Sequence, residues 1–198
     1  QGLPEFERLR DIARDIKNHA IANLDFYLEQ YAANVEAAGG HVHWCPYAEA
    51  ARKAVLEICQ KAGAKTVTKG KSMIGEEIAI NHHLEEHGIT PVETDLGEYI
   101  IQLRDELPSH IIAPAFHLNM EDWEEAFRKH HTDLPADRQF NERRDILIEA
   151  RTKLRSKFLA ADVGITGANF LVAETGSSVI VTNEGNGDLT QTLPRVDR

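Results

Sequence analysis

The stretch "ETDLGEY", Glu93 to Tyr99, sets three carboxylates at the end of a strand-like run. Acids at the carboxyl end of a parallel strand stand where open α/β sheets bind ligands. The same spacing also fits helix capping by Asp95, with Glu98 three residues on. "TKGKSM" places Lys69, Lys71 and Ser72 where a strand gives way to a helix. Backbone amides at such a start attract anions and the lysines add charge, although the spaced glycines of a P-loop are missing. The plainer reading is a βα turn with Ser72 as N-cap and solvated lysines. "APAFH" ends in His117, a proton carrier or ligand by type, and as readily a hydrogen-bonded loop histidine.

Two further stretches carry reactive types. In "NHHLEEH", His83, Glu86 and His87 fit H-x-x-E-H, an inverted zinc-protease pattern. A third ligand at a defined place is also needed, and Met73, Ile74, Ile78 and Leu84 already give that helix an apolar face. The His/Glu side therefore reads as the solvated face, and no metal is expected. "ITGANFLVAETGSSVIVTNEGNGD" gathers Thr166, Gly167, Asn169, Glu174, Thr175, Gly176 and Asn183 around two apolar runs. Alternation sets Glu174 on a face with Phe170 and Val172. A partly buried Glu174 would have a raised pKa suited to acid–base or nucleophilic work. Hairpin geometry with a solvated rim explains the same residues.

The elements that must hold these residues alternate. Leu9, Ile12, Ile16, Ala20, Leu24, Tyr27, Leu28, Tyr31 and Val35 recur at helical spacing, and Gly39–Gly40 stop the run. "HVHW", "KTVTKG", "ITPVETD" and "SHIIAP" read as strands, with Pro91 favouring an edge or a strand start. "YAEAARKAVLEICQKAG", "SMIGEEIAINHHLEEHG", "MEDWEEAFRKHH" and "ERRDILIEARTKLRSKFLAA" read as helices. "TDLPADRQFN" is a linker-like connection. "ANFLVAE" and "SSVIVTN", divided by "TG", read as a hairpin joined to the sheet. The expectation is an α/β fold, a largely parallel sheet with an antiparallel C-terminal hairpin. A helical region over 1–40 precedes an α/β domain over 41–198.

The chain has 198 residues, 42% hydrophobic and 27% charged, enough for one sizeable core. A net charge of −10 argues against a nucleic-acid binder. No apolar run approaches a membrane span, and the start "QGLPEFERLR" lacks a signal-peptide core. It also lacks Met, as expected of a trimmed chain. Cys45 and Cys59 form no C-x-x-C, so a reducing cytoplasm is the expected location. Two thiols cannot supply the four that an ordinary iron–sulfur cluster uses.

Several long strings occur together: "KGKSM", "ETDLGEYIIQL", "PSHIIAPAFH", "KFLAADVGITGANFLVAETGS" and "VTNEGNG". In that order they resemble the LUD domain of the lactate-utilisation iron–sulfur proteins, B-type subunit, over nearly the whole chain. The resemblance implies a Rossmann-type fold like the ribose-phosphate isomerase and CoA-transferase group. It implies a part in oxidising L-lactate to pyruvate within a three-component cytoplasmic complex, with other subunits as partners. It also implies 4Fe-4S clusters in a ferredoxin-like region beyond this chain, and none within it. Carried over by position, a pocket for a small anionic ligand would be lined by Lys69, Lys71, Ser72, Asp95, Glu98, His117, Thr166, Gly167, Asn169, Glu174, Thr175, Gly176 and Asn183. The expected role is ligand or partner binding by a subunit whose clusters lie elsewhere. The alternative is a stand-alone isomerase- or CoA-transferase-like enzyme using Glu174. The long N-terminal helix offers a face for a homodimer.

Overall fold

The helical period of the N-terminal stretch forms two helices rather than one. The computed structural model describes residues 2–70, 72–109, 113–182 and 184–197. Helix α1, Phe6–Ala22, gives way at Asn23 to α2, Leu24–Ala37. Leu9, Ile12 and Ile16 lie along α1 with their side chains largely exposed. Gly39 takes a φ of 88° and ends the run, as its sequence predicts. "HVHW" forms no strand.

The chain divides into two compact units. One comprises the residues up to Trp44 together with Asn169–Val179. Here β4, Phe170–Val172, pairs antiparallel with β5, Ser177–Val179. The turn between them is Ala173–Gly176, longer than the two residues the sequence suggests, because the strand ends at Val172. Gly176 closes it at φ 70°, and a Cβ there would stand 2.6 Å from the Val35 amide nitrogen. The Asn34 side chain donates to the carbonyls of Ala173 and Glu174, at 2.8 and 3.1 Å. The hairpin thus makes a two-stranded sheet of its own with α2 beside it, not an extension of the parallel sheet.

The second unit holds the parallel sheet, ordered β2-β1-β3-β6. Its strands are β1 Thr66–Gly70, β2 Thr90–Glu93, β3 Val163–Thr166 and β6 Val196–Asp197. Helices α3 Ala48–Lys61, α4 Met73–Glu77, α5 Ile80–Glu86 and α6 Leu96–Arg104 surround it. They are joined by α7 Met120–His130, α8 Arg143–Ala160 and α9 Asn186–Thr192. Leu56, Cys59, Val67, Ile80, Leu84, Ile89 and Val163 form one core. Tyr99, Ile100, Phe127, Phe140, Ile146, Leu154 and Phe158 form another with Val92. Burial pushes the Cys59 thiol up to about 11, while Cys45 is exposed.

Residues 73–87, read as one helix, break at Ala79, whose φ of 50° no helix accommodates. The strand expected in "SHIIAP" falls mainly on 110–112, outside the described residues. Among the described residues β2 is an edge strand, and Pro91 sits on it, as its missing N–H favours. On β2's open side the Gln102 amide donates to the Pro91 carbonyl at 2.9 Å and accepts from the Glu93 N–H at 3.0 Å. Asp162 accepts from the amides of Lys65 and Thr66 at 2.9 and 3.1 Å, and from Arg195 at 2.9 Å. It fastens the start of β1 to the turn before β3. Gly164 lets α9 lie on β3, since a Cβ there would meet the Thr190 carbonyl oxygen at 2.0 Å.

Candidate functional site

The order β2-β1-β3 means the chain leaves β1 to one side and returns on the other. Ligand sites of open α/β sheets lie at the carboxyl ends beside such a reversal. Alternation along β1 puts Lys69 on the face of Val67, and Thr68 and Gly70 on the opposite face. Parallel register sets Lys69 directly beside Glu93 of β2. The Lys69 ammonium meets Oε1 of Glu93 at 2.8 Å, with the two side chains 2% and 6% exposed. From α5, the Asn81 amide donates to the same oxygen at 2.6 Å.

Asp95 caps α6 by accepting from the Gly97 N–H at 3.2 Å, which starts the helix so that Glu98 falls in its first turn. Burial first, then repulsion from Glu93, Asp95 and Glu76, pushes the Glu98 carboxyl up to about 8, with Lys69 pulling the other way. Three oxygens of this cluster are buried with no hydrogen-bond partner: Oε2 of Glu93, Oε2 of Glu98 and Oδ1 of Asn81. The arrangement offers an acid that keeps its proton near neutrality, a carboxylate and an ammonium.

The other face of β1 is built differently. The Thr94 hydroxyl donates to the Lys69 carbonyl at 2.9 Å and lies 3.5 Å from the Thr190 hydroxyl. Asn186, at the start of α9, is 6% exposed, and neither polar atom of its amide has a partner. It opens on a cleft of about 840 Å³ between α8 and α9. Leu147, Ile148, Leu154, Phe158 and Leu189 make its walls largely apolar. Arg151 and Arg155 from α8, with Asp95 and Glu184, add charge of both signs.

Residues 28–196 match the model of the LUD domain family. The chain belongs to the LUD domain family. It is 46% identical over 200 residues to lactate utilization protein B of Bacillus subtilis, a match covering 98% of this chain. It is 45% identical over 198 residues to the protein of that name from Bacillus licheniformis, and 45% over 196 residues to that of Macrococcus caseolyticus. The chain spans 40% of the length of each of these relatives. No solved structure matches.

Of the residues the sequence singles out, the LUD domain brings Lys69, Asp95 and Glu98 to one end of the parallel sheet. Thr166 ends β3 there, in register with Gly70, and Gly167 follows it. Ser72 is an N-cap, its hydroxyl accepting from the Gly75 N–H at 3.0 Å. Lys71 and Asn183 lie outside the described residues. His117 is an exposed loop residue 3.1 Å from Glu106, which Arg104 also holds at 2.8 Å. These partners keep the Glu106 carboxyl below its usual range.

Asn169, Glu174, Thr175 and Gly176 belong to the hairpin of the other compact unit. The Thr175 hydroxyl bonds within the turn, to Ser177 at 2.9 Å. Glu174 is exposed in that turn rather than partly buried on a strand face, because β4 stops two residues before it.

On α5 and at its C-cap, His83, Glu86 and His87 offer ligand atoms within 4.8 Å of one another. Glu86 and His87 are exposed, as expected of a solvated face, but Nε2 of His83 is buried without a partner. These three residues are where a divalent ion would sit on this helix.

Sequence reasoning missed Glu93 as a site residue, and with it Asn81, Thr94, Thr190 and Asn186. Glu93 was visible as the first acid of "ETDLGEY", and strand register alone joins it to Lys69. Asn81 was hidden beside two histidines, and Asn186 inside a glycine-rich stretch. Among the described residues no helix is long and apolar enough to cross a membrane.

Proposed function

We propose that this chain is the LUD domain of a lactate-utilisation protein, and that it binds a small anionic ligand where β1 and β2 end. The observation that carries the first part is the 46% identity, over 98% of the chain, to a protein named lactate utilization protein B. That a ligand completes this end of the sheet is supported by the buried, partnerless polar atoms of Glu93, Glu98, Asn81 and Asn186, whose oxygens call for hydrogen-bond donors. Native proteins rarely leave such atoms unsatisfied without a water, an ion or a ligand to meet them. Lys69 on one face, and Arg151 and Arg155 in the cleft on the other, supply positive charge.

In this reading the whole protein takes part in oxidising L-lactate to pyruvate in the cytoplasm, alongside other subunits. Electrons pass through 4Fe-4S clusters held outside this chain. The domain itself contributes ligand or partner binding.

Two measurements test the reading. Deleting the gene should abolish growth on L-lactate as carbon source while leaving growth on pyruvate intact. Full-length protein purified without oxygen should contain iron and acid-labile sulfide, and the 198-residue chain neither. Unimpaired growth on L-lactate would remove the lactate role. A full-length protein free of iron would remove the electron-transfer role.

A further inference from the structure

His83, Glu86 and His87 fall at positions i, i+3 and i+4 at the end of α5, a spacing that sets three side chains on one face. Their ligand atoms lie within 4.8 Å of one another. The two rings are tilted together, with centroids 4.6 Å apart. By sequence this side is the wet face of the helix, and Glu86 and His87 are exposed on it. His83 is partly covered, and its Nε2 is buried with no hydrogen-bond partner.

The bonding of the second ring fixes which of its nitrogens is free. Nδ1 of His87 lies 2.8 Å from the His83 carbonyl oxygen. A carbonyl oxygen only accepts, so Nδ1 carries the proton and Nε2 of the neutral ring keeps its lone pair. Metal-binding histidines are held in this manner, one nitrogen fixed on a carbonyl and the other turned to the ion. A buried nitrogen that meets nothing, as in His83, costs stability, and an ion is one of the partners that relieves it. Both histidines stand in the last turn of α5 or at its C-cap, where the backbone carbonyls favour a cation.

A hollow of about 210 Å³ opens there, lined by Arg52, Ala79, His82, His83 and Glu86. The Arg52 guanidinium donates to the Ile78 carbonyl at 3.0 Å. Its charge and that of Glu86 offset each other, so charge alone does not draw a cation in. Calcium, which takes six or more oxygens, is not provided for. Two imidazoles and a carboxylate instead suit an ion that bonds to nitrogen, and zinc takes that set with its fourth position left to water. Ligands about 2.1 Å from a tetrahedral ion stand roughly 3.4 Å apart, so the trio draws in on binding. The exposed Glu86 has a rotatable stem to supply that movement. His82, 3.5 Å from Oε1 of Glu86, competes for the same carboxylate.

We propose that His83, Glu86 and His87 form a zinc site at the C-terminal end of α5. Nε2 of each histidine and one Glu86 oxygen are the protein ligands, and water fills the fourth position. The site is separate from the cluster where β1 and β2 end and does not depend on the ligand-binding reading above. Zinc there fastens the end of the helix from which Asn81 reaches Glu93.

The test is calorimetric titration of the untagged chain with zinc chloride, with cobalt(II) chloride as a spectroscopic stand-in. The chain should bind one zinc ion, and cobalt(II) should show the visible absorption of a four-coordinate ion. Zinc at a hundredfold excess over its Kd should raise the melting temperature by roughly 5 °C or more. His87→Ala should weaken zinc binding by more than about 100-fold, beyond what the loss of an outer-sphere partner causes. Glu86→Gln should weaken it too, whereas His82→Ala should retain it. Glu86 and His87 are exposed, so a metal-free melting temperature equal to that of the wild type shows that these variants fold. A wild-type chain that binds no zinc would overturn the proposal. So would zinc held equally well by His87→Ala, or lost in His82→Ala, since the ion would then sit on other surface histidines.

Discussion

The Lys69 ammonium and the Glu93 carboxylate, neighbours across the β1–β2 register, form an ion pair at 2.8 Å with almost no exposure to solvent. Breaking such a pair from one side strands the other charge in a poorly polarisable interior. Lys69→Met should therefore destabilise the chain by about 3 to 5 kcal/mol in urea unfolding. Lys69→Met with Glu93→Met should recover most of that loss, because the double change removes both charges.

Asn186 points the other way. Its amide is buried with both polar atoms unmatched, an arrangement that costs stability and that function must justify. Asn186→Leu should leave the melting temperature unchanged or raise it. If the cleft beside it is a ligand or partner site, the same substitution should fail to restore growth on L-lactate in a deletion strain. A variant that melts clearly lower and restores growth would show Asn186 to be structural.

Asp162 is a clamp. It accepts two backbone N–H bonds from the start of β1, and these with Arg195 hold its carboxyl down at about 2 instead of 3.8. A depressed carboxyl adds stability above its ordinary value and loses it as the pH falls toward 2. Asp162→Ala should cost about 2 kcal/mol at pH 7, the scale of hydrogen bonds to a charged acceptor. The acid limb between pH 4 and 2 should flatten in the same variant, read by urea midpoints along the pH series.

Glu98 has the opposite sign. Its carboxyl rises from an ordinary 4.5 to about 8 in the folded chain. Over that window the unfolded chain has released the proton and the folded chain retains it, so stability declines as pH rises and levels off above 8. Glu98→Gln should remove this decline. Midpoints that stay level from pH 5 to 8 in the wild-type chain would contradict a neutral Glu98.

The sheet and most of its helices were legible because their signals are local. Gly39, Gly63 and Gly88 stop helices, Ser72 and Asp95 cap them, and Pro91 marks an edge. The break at Ala79 was not legible: alanine is the best helix former, yet it takes a φ of 50° there. The hairpin's own sheet was hidden as well, since nothing in "VAETGSS" tells where β4 ends. The site was half legible. Asp95 and Glu98 were found by position, but a lysine beside a glycine at a strand end reads as solvated. Its burial follows from Glu93, twenty-four residues on, through a register that one sequence does not display. Glu174 misled for the complementary reason, because alternation was carried past the residue where the strand stops.

The Gln102 side chain reaches two outward-facing backbone groups of β2, the Pro91 carbonyl and the Glu93 N–H, standing where the peptide unit of another strand would stand. The rim of a sheet is a template on which foreign strands assemble, and proteins need some device to deny it. Here one amide, with a proline that has no N–H to offer, does so at no cost in added chain. Among the described residues no further strand covers that flank of β2, and the Gln102 amide occupies part of the hydrogen-bonding edge that β-augmentation would need. Losing the amide would reopen the rim, and fibril formation under mild destabilisation is the property in which that would first be seen.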